Sequence, residues 1–129
     1  MEFNYNTDIK TRDEIIFGEY DPKLYLGGVR YFTDMTLETI KMLVKTGFAD
    51  PEDRQNEAPS IEEFISFMEA NEGYVLGGYT VTDERSDYRI SIDRIEKTEP
   101  IYTKEELEAF VDFARWADDF ETDGYAWWD

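Results

Sequence analysis

The stretch that decides the fold is YVLGGYTVTDERSDYRISIDRI, residues 74–95. Both of its halves are rich in β-branched and aromatic residues, and the polar residues TDERS lie between them. In the second half Ile90 and Ile92 alternate with polar residues, which is typical of a strand with one buried face. The stretch therefore predicts a β-hairpin with strands at 74–81 and 87–95.

Two amphipathic helices are predicted before this hairpin. The first begins at Thr36, and its apolar residues recur at helical spacing up to Gly47, a residue that suits a left-handed helix end. The second begins with a capping box formed by Ser60 and Glu63, followed by an apolar face.

One further strand and one further helix complete the predicted fold. Residues 23–32 are rich in β-forming residues, and the Gly27-Gly28 pair within them indicates a bulge. Another capping box, Thr103 with Glu106, starts a helix after the hairpin. The order β-α-α-β-β-α predicts an α+β fold: a small antiparallel sheet of about three strands with helices packed mainly on one face.

The length of the chain predicts one domain over residues 1–129. Residues 1–22 are polar with scattered aromatics and are predicted to form an irregular N-terminal arm with one short element. Residues 119–129 are predicted to form an acidic and aromatic C-terminal tail. The sequence shows neither a secretory signal nor a run of about 18 apolar residues, so we expect a cytoplasmic protein without a membrane segment.

The net charge limits the classes of partner. The chain has 13 basic and 31 acidic residues, a net charge of −18. Because such a field repels nucleic-acid phosphates and anionic membrane surfaces, ordinary nucleic-acid binding and membrane binding are not expected. A basic protein partner or a cation is favoured instead. The alternatives are that the acidity only keeps the protein soluble, or that it is an adaptation to high salt.

The absence of cysteine and histidine excludes several kinds of catalysis. Thiolate nucleophiles, Ser/His pairs and His- or Cys-based zinc sites are all excluded. Neither Gly-Gly pair has the spacing of a phosphate-binding loop. With so many acids, a carboxylate pair at catalytic distance carries no information. Whether the protein is an enzyme therefore stays open, with the sequence favouring a non-enzyme.

Two acidic segments are candidate metal sites, and calcium or magnesium is the only cofactor class that the sequence leaves open. In the loop after the first helix, oxygen ligands are available from Asp50, Asp53 and Asn56, although the same residues suit a turn before a helix. Near the C-terminus, the first positions of a calcium loop are matched by Asp119, Glu121 and Asp123. The bidentate ligand at position 12 is missing, so only weak binding is predicted.

The C-terminal segment, residues 96–129, is the predicted partner-binding surface. Residues 96–129 carry 11 acids and three bases, and Trp is the residue most enriched in binding hot spots. An alternative is that the adjacent tryptophans fold back to cover the sheet. The candidate partner-binding residues are Trp116, Asp118, Asp119, Glu121, Asp123, Tyr125, Trp127 and Trp128.

The sequence thus predicts a non-enzymatic, acidic protein-interaction domain that binds a basic partner in the manner of an inhibitor or immunity-type protein. The alternatives are a small enzyme that uses a divalent metal or carboxylates, and a DNA mimic.

Overall fold

Four α-helices and a five-stranded antiparallel sheet make up the computed structural model, which describes residues 3–101 and 103–129. The helices are α1 (Ile9–Phe17), α2 (Leu37–Lys45), α3 (Ile61–Ala70) and α4 (Lys104–Ala114), and Pro22–Leu24 forms one turn of 3₁₀ helix. The strands are β1 (Val29–Met35), β2 (Tyr74–Val81), β3 (Ile90–Lys97), β4 (Asp119–Glu121) and β5 (Tyr125–Trp127). Their order in the sheet is β1-β2-β3-β5-β4. No helix within the described ranges is long and apolar enough to span a membrane.

The predicted α+β class is confirmed, but the predicted number of strands is wrong. The sheet has five strands because the segment predicted to be a tail forms β4 and β5. Each of these strands has three residues, fewer than the four to eight over which alternation indicates a strand. β5 pairs with the second half of β3, with Ala126 opposite Ile95.

α1 lies in the segment that was predicted to be an irregular arm. The side chain of Asp8 accepts a hydrogen bond from the Thr11 N–H at the start of this helix, and Gly18, with φ of 81°, ends it. Its buried residues include the charged Arg12 and Asp13. Because the buried face is partly charged, the apolar periodicity that reveals an amphipathic helix is weak here.

The predicted helix starts are confirmed. Thr36 caps α2, and its side chain accepts a hydrogen bond from the Thr39 N–H. Ser60 and Glu63 form both hydrogen bonds of the capping box at the start of α3. All four helices therefore begin at a residue whose side chain accepts a hydrogen bond from one of the first free N–H groups.

The core combines side chains from all four helices with the inner face of the sheet. The helices contribute, among others, Ile15, Ile40, Phe64 and Phe110, and the sheet contributes Leu76, Ile92, Ile95 and Ala126. Because side chains alternate across a strand, the residues between these point to the other side. We call that side the open face. Cross-strand pairs place on it Tyr31, Tyr79, Arg94, Glu96, Asp119, Glu121, Tyr125 and Trp127.

The hairpin of β2 and β3 contains a bulge. Gly77 pairs with Arg94, whereas the next residue, Gly78, pairs with Ile92. Asp93 is therefore an additional residue in β3. As a result two consecutive residues, Asp93 and Arg94, lie between Ile92 and Ile95, whose side chains both face the core.

Close contacts require the Gly77-Gly78 pair at this bulge. A Cβ atom on Gly78 would lie 1.9 Å from the backbone oxygen of Ser91. A Cβ atom on Gly77 would lie 2.6 Å from Cγ of Arg94, whose side chain lies across that glycine. The backbones of β2 and β3 approach this closely only because no side chain stands between them.

The other Gly-Gly pair forms a turn, so the predicted bulge at that position is wrong. Gly27 and Gly28 have φ angles of 63° and 83°. Leu26 and Val29, on either side, exchange two backbone hydrogen bonds with N···O distances of 2.9 and 3.2 Å. Two residues with positive φ between such partners form a two-residue hairpin turn. β1 therefore begins at Val29, later than the sequence predicts.

A buried ion pair attaches α1 to the sheet. Arg12 and Asp13 are both fully buried, with 2.9 Å between Nε and Oδ1. Arg12 also donates to the carbonyl oxygen of Val81 (3.0 Å) and to the hydroxyl of Tyr25 (2.8 Å). The Tyr25 hydroxyl donates to Asp13. Burial, together with this hydrogen bond, raises the pKa of Tyr25 to about 12, so the hydroxyl keeps the proton that it donates.

We expect Gly78→Ala to destabilise the protein more than Gly77→Ala. The new methyl group at residue 78 meets backbone, and overpacking of this kind costs about 1–3 kcal/mol. At residue 77 it meets a flexible side chain that can move away. Urea denaturation of both variants measures the difference, and equal losses would contradict the close approach at Gly78.

We also expect Arg12→Met to lower the free energy of unfolding by about 3–5 kcal/mol, because Asp13 would stay buried without its partner. Lys10→Met removes the same charge from an exposed position of α1 and should change stability by less than about 0.5 kcal/mol. Denaturant titration of the two variants tests this. Similar losses of unfolding free energy in both variants would show that the Arg12–Asp13 pair does not hold α1 on the sheet.

Candidate functional site

The predicted partner-binding residues divide between two surfaces. Trp127 lies on the open face, paired with Arg94, whereas Trp128 points into the core. Adjacent residues of a strand point to opposite sides, so one of the two tryptophans had to be buried. Trp116 lies just beyond the end of α4, and 71% of its surface is exposed.

Trp128 is a core residue. Only 1% of its surface is exposed, and its ring contacts Phe64 and Phe113 edge to face, with centroid distances of 5.4 and 6.1 Å. Its backbone N–H donates to the carbonyl oxygen of Asp93 (2.9 Å). Trp128 therefore fixes the strand that carries Trp127 and is not available to a partner.

Trp116 lies at the rim of a groove between α3 and α4, which we call the α3–α4 groove. The groove has a volume of about 400 Å³. Its apolar lining includes Phe67, Ala109, Phe113, Trp116 and Trp128, and its charged lining is formed by Arg54, Glu57, Glu63, Asp112 and Arg115. The groove thus combines an aromatic floor with acidic walls.

The two arginines of the α3–α4 groove are already paired with its acids. Arg54 contacts Glu63 at 3.1 Å, and Arg115 contacts the Asp112 carboxylate at 3.2 Å. The backbone N–H of Ser60 donates to Glu63 and lowers the pKa of that carboxyl group, so it stays ionised. Glu57 lines the groove in addition, and Glu62 lines an adjoining depression. The walls are therefore acidic on balance.

The open face carries a second cleft, of about 460 Å³, lined by three arginines that the sequence analysis did not select: Arg85, Arg89 and Arg94. Arg89 donates to the Tyr79 hydroxyl (3.0 Å), which in turn donates to Gln55 Oε1 (2.7 Å). All three arginines belong to the hairpin segment 74–95. The sequence does contain a signal for them, because three arginines so close together are unusual in a chain with 13 basic and 31 acidic residues.

The acids near the C-terminus lie on the hairpin of β4 and β5. Asp119 and Glu121 are exposed on the open face at the edge of the sheet, and Asp123 lies in the turn. Asp118 accepts the N–H of Asp129 (2.7 Å). This extended hairpin differs from the curved loop that surrounds a calcium ion, because its alternate side chains share one flat face.

The other candidate metal residues form the turn before α3. Asp50 accepts the Glu52 N–H (2.9 Å), and Asn56 donates to the backbone oxygen of Asp129 (2.7 Å). Burial raises the pKa of Asp53, and its Oδ2 has no hydrogen-bond partner among the described residues. Across residues 3–101 and 103–129, no three acidic side chains are grouped so that they could hold a metal ion.

Comparisons with known proteins found no relative. No protein-family model matches the chain, and neither a curated protein nor a solved structure is similar to it. The site is therefore interpreted from its own geometry. That geometry offers aromatic and charged contact surfaces.

We expect Asp53→Asn to raise the free energy of unfolding at pH 7. Burial raises the pKa of Asp53 above its unfolded value, so the folded state holds this proton more tightly and stability falls as the pH rises through that interval. Asn does not titrate, so the advantage of the variant should shrink toward pH 3.5, below the ordinary pKa of about 3.9. Urea denaturation at pH 7 and at pH 3.5 measures the difference in the free energy of unfolding between the variant and the wild type. Glu57→Gln, which changes an exposed acid in the same loop, is the control. A variant less stable than the wild type at pH 7 would contradict this.

Proposed function

We propose that this protein is a non-enzymatic interaction domain that binds a basic protein partner in the α3–α4 groove. The observation that carries the proposal is the exposure of Trp116, of whose surface 71% is accessible, beside a groove with an aromatic floor and acidic walls. An inhibitor or immunity-type protein is the class of function that this surface fits, by analogy alone.

Trp116 is suited to be the anchor of the contact. Tryptophan residues dominate binding energies when a partner buries them in a pocket. The Arg115 guanidinium lies 5.8 Å from the centre of the Trp116 ring, which shows that a cation can approach this ring. A partner arginine or lysine can make the same contact from the outer side.

The charge of the chain supports a basic partner. A net charge of −18 attracts a cationic protein from a distance and repels an anionic one. A DNA mimic would need carboxylates alone, whereas the floor formed by Phe67 and Phe113 favours a partner that also supplies apolar side chains. The α3–α4 groove therefore fits a segment in which basic and apolar residues are neighbours.

We expect fluorescein-labelled peptides with arginines on both sides of an apolar residue to bind the full chain. Trp116→Ala should weaken the binding about 30-fold, the effect of losing a contact worth about 2 kcal/mol. Raising the salt concentration should also weaken it, because the contact is partly ionic. Fluorescence anisotropy measures both effects.

The controls separate the surfaces and the chemistry. Trp127→Ala changes a tryptophan on the open face and should leave peptide binding unchanged. Peptides with citrulline in place of arginine keep the shape without the charge and should not bind. Equal binding to wild type and to Trp116→Ala, or equal loss in both tryptophan variants, would contradict the proposed site.

A further inference from the structure

The open face carries two arginines toward the β1 side of the sheet and two acids on β4, at the other edge. Arg85 and Arg89, which we call the arginine cluster, line its cleft, and Arg85 donates to the carbonyl oxygen of Gly27 (3.1 Å), just before the edge strand β1. Asp119 and Glu121, which we call the acidic cluster, lie on β4, the other edge strand. Arg89 lies beside β2, since its carbonyl oxygen accepts the Val81 N–H, so the two clusters lie over different strands of the sheet.

The arginine cluster is held in place before any partner binds. Arg85 binds Asp87 through Nε (2.8 Å) and Nη2 (2.7 Å), and Arg89 binds the same carboxylate at 2.9 Å. One ion-paired carboxylate thus serves two guanidinium groups, and the Asp53 carboxylate also lies close enough to Arg89 to interact with its charge. Gly28 leaves the space that the Arg85 side chain occupies, since a Cβ there would lie 2.5 Å from Cδ of Arg85.

Both residues of the acidic cluster lie at the exposed edge of the sheet. Neither Asp119 nor Glu121 forms an ion pair within the described part of the chain, and both are exposed. The same face carries the aromatic rings of Tyr31, Tyr79 and Trp127, together with Arg94 on the central strand β3. Tyr31 is 67% exposed, and its ring contacts that of Tyr79 with 6.0 Å between centroids.

We infer that the open face joins two copies of this chain in a two-fold symmetric dimer. A two-fold axis that lies in the interface, perpendicular to the line between the clusters, places the arginine cluster of each copy over the acidic cluster of the other. The aromatic residues of the two copies then meet in the middle. The face is complementary to itself in this arrangement.

A second copy fits this face better than a partner of one charge sign. A basic protein would meet the arginine cluster, and an acidic protein would meet the acidic cluster, so each would place like charges together. A standard interface takes about 800 Å² from each partner, which is about a tenth of the 7667 Å² surface of this chain. Tyr, Trp and Arg are the residue types enriched at the centre of such interfaces.

Sedimentation of the full chain with single charge reversals tests the dimer. At an ionic strength of about 0.15 M, where the Debye length is about 8 Å, distant repulsion is screened and close pairs are not. The wild type should sediment as a dimer. Arg85→Glu and Glu121→Arg should each weaken dimerisation at least about tenfold, because each places like charges together twice.

Mixing the two variants gives the sharpest result. In a heterodimer of Arg85→Glu with Glu121→Arg, one contact has reversed charges and the other has the wild-type charges, so both are attractive. An equimolar mixture should therefore form dimers although each variant alone is monomeric. This restoration cannot come from misfolding of either variant, and thermal unfolding of each alone checks the fold directly.

Two further variants distinguish this inference from the proposed function. Glu108→Arg makes the same change of charge as Glu121→Arg, but on α4, and should leave the dimer intact. Trp116→Ala should also stay dimeric, because the inference does not depend on the α3–α4 groove. A wild-type chain that is monomeric up to about 1 mM, a weak association on the scale of protein complexes, would overturn the inference, and so would a mixture that stays monomeric.

Discussion

The bulge in β3 determines what each side of the sheet presents. With Asp93 as an additional residue, Ile92 and Ile95 both face the core, and Arg94 is directed to the open face. The backbone carbonyl oxygen of Asp93 accepts a hydrogen bond from the backbone N–H of Trp128, and this bond fixes the position of β5. Without the glycine at residue 78 the backbones could not approach, and this register could not form.

The two sides of the sheet differ in the side chains that they present. The inner side is joined to the helices by an apolar core in which Trp128 contacts the aromatic rings of α3 and α4. Phe113 and Trp128 of this core also line the α3–α4 groove, together with Phe67, so that groove is shaped by the core itself. The open face is free of helices and carries polar and aromatic residues. A protein with a large excess of acids thus has two chemically distinct surfaces.

The parts of the fold that the sequence predicted are those with strong local signals. The capping residues Thr36, Ser60 and Thr103 and the alternation around Ile90 and Ile92 identified three helices and the hairpin. α1 was missed because its buried side chains include Arg12 and Asp13, whose burial depends on partners distant in the chain. Pairing at long range also decided that β4 and β5 are strands, and that Trp127 and Trp128 point to opposite sides. For the site, the sequence selected Trp116 but not the groove beside it, since the groove depends on how two helices pack.

The position of β5 has a consequence for folding. β5 lies between β3 and β4 in the sheet, although it follows both in the chain. Until residues 125–127 have paired, one edge of β3 has free backbone N–H and C=O groups next to an unfinished core. Such an edge can pair with another chain, so partly folded molecules are exposed to aggregation at this step. β5 is synthesised after both of the strands that it lies between, so the edge of β3 stays exposed during the interval before β5 pairs.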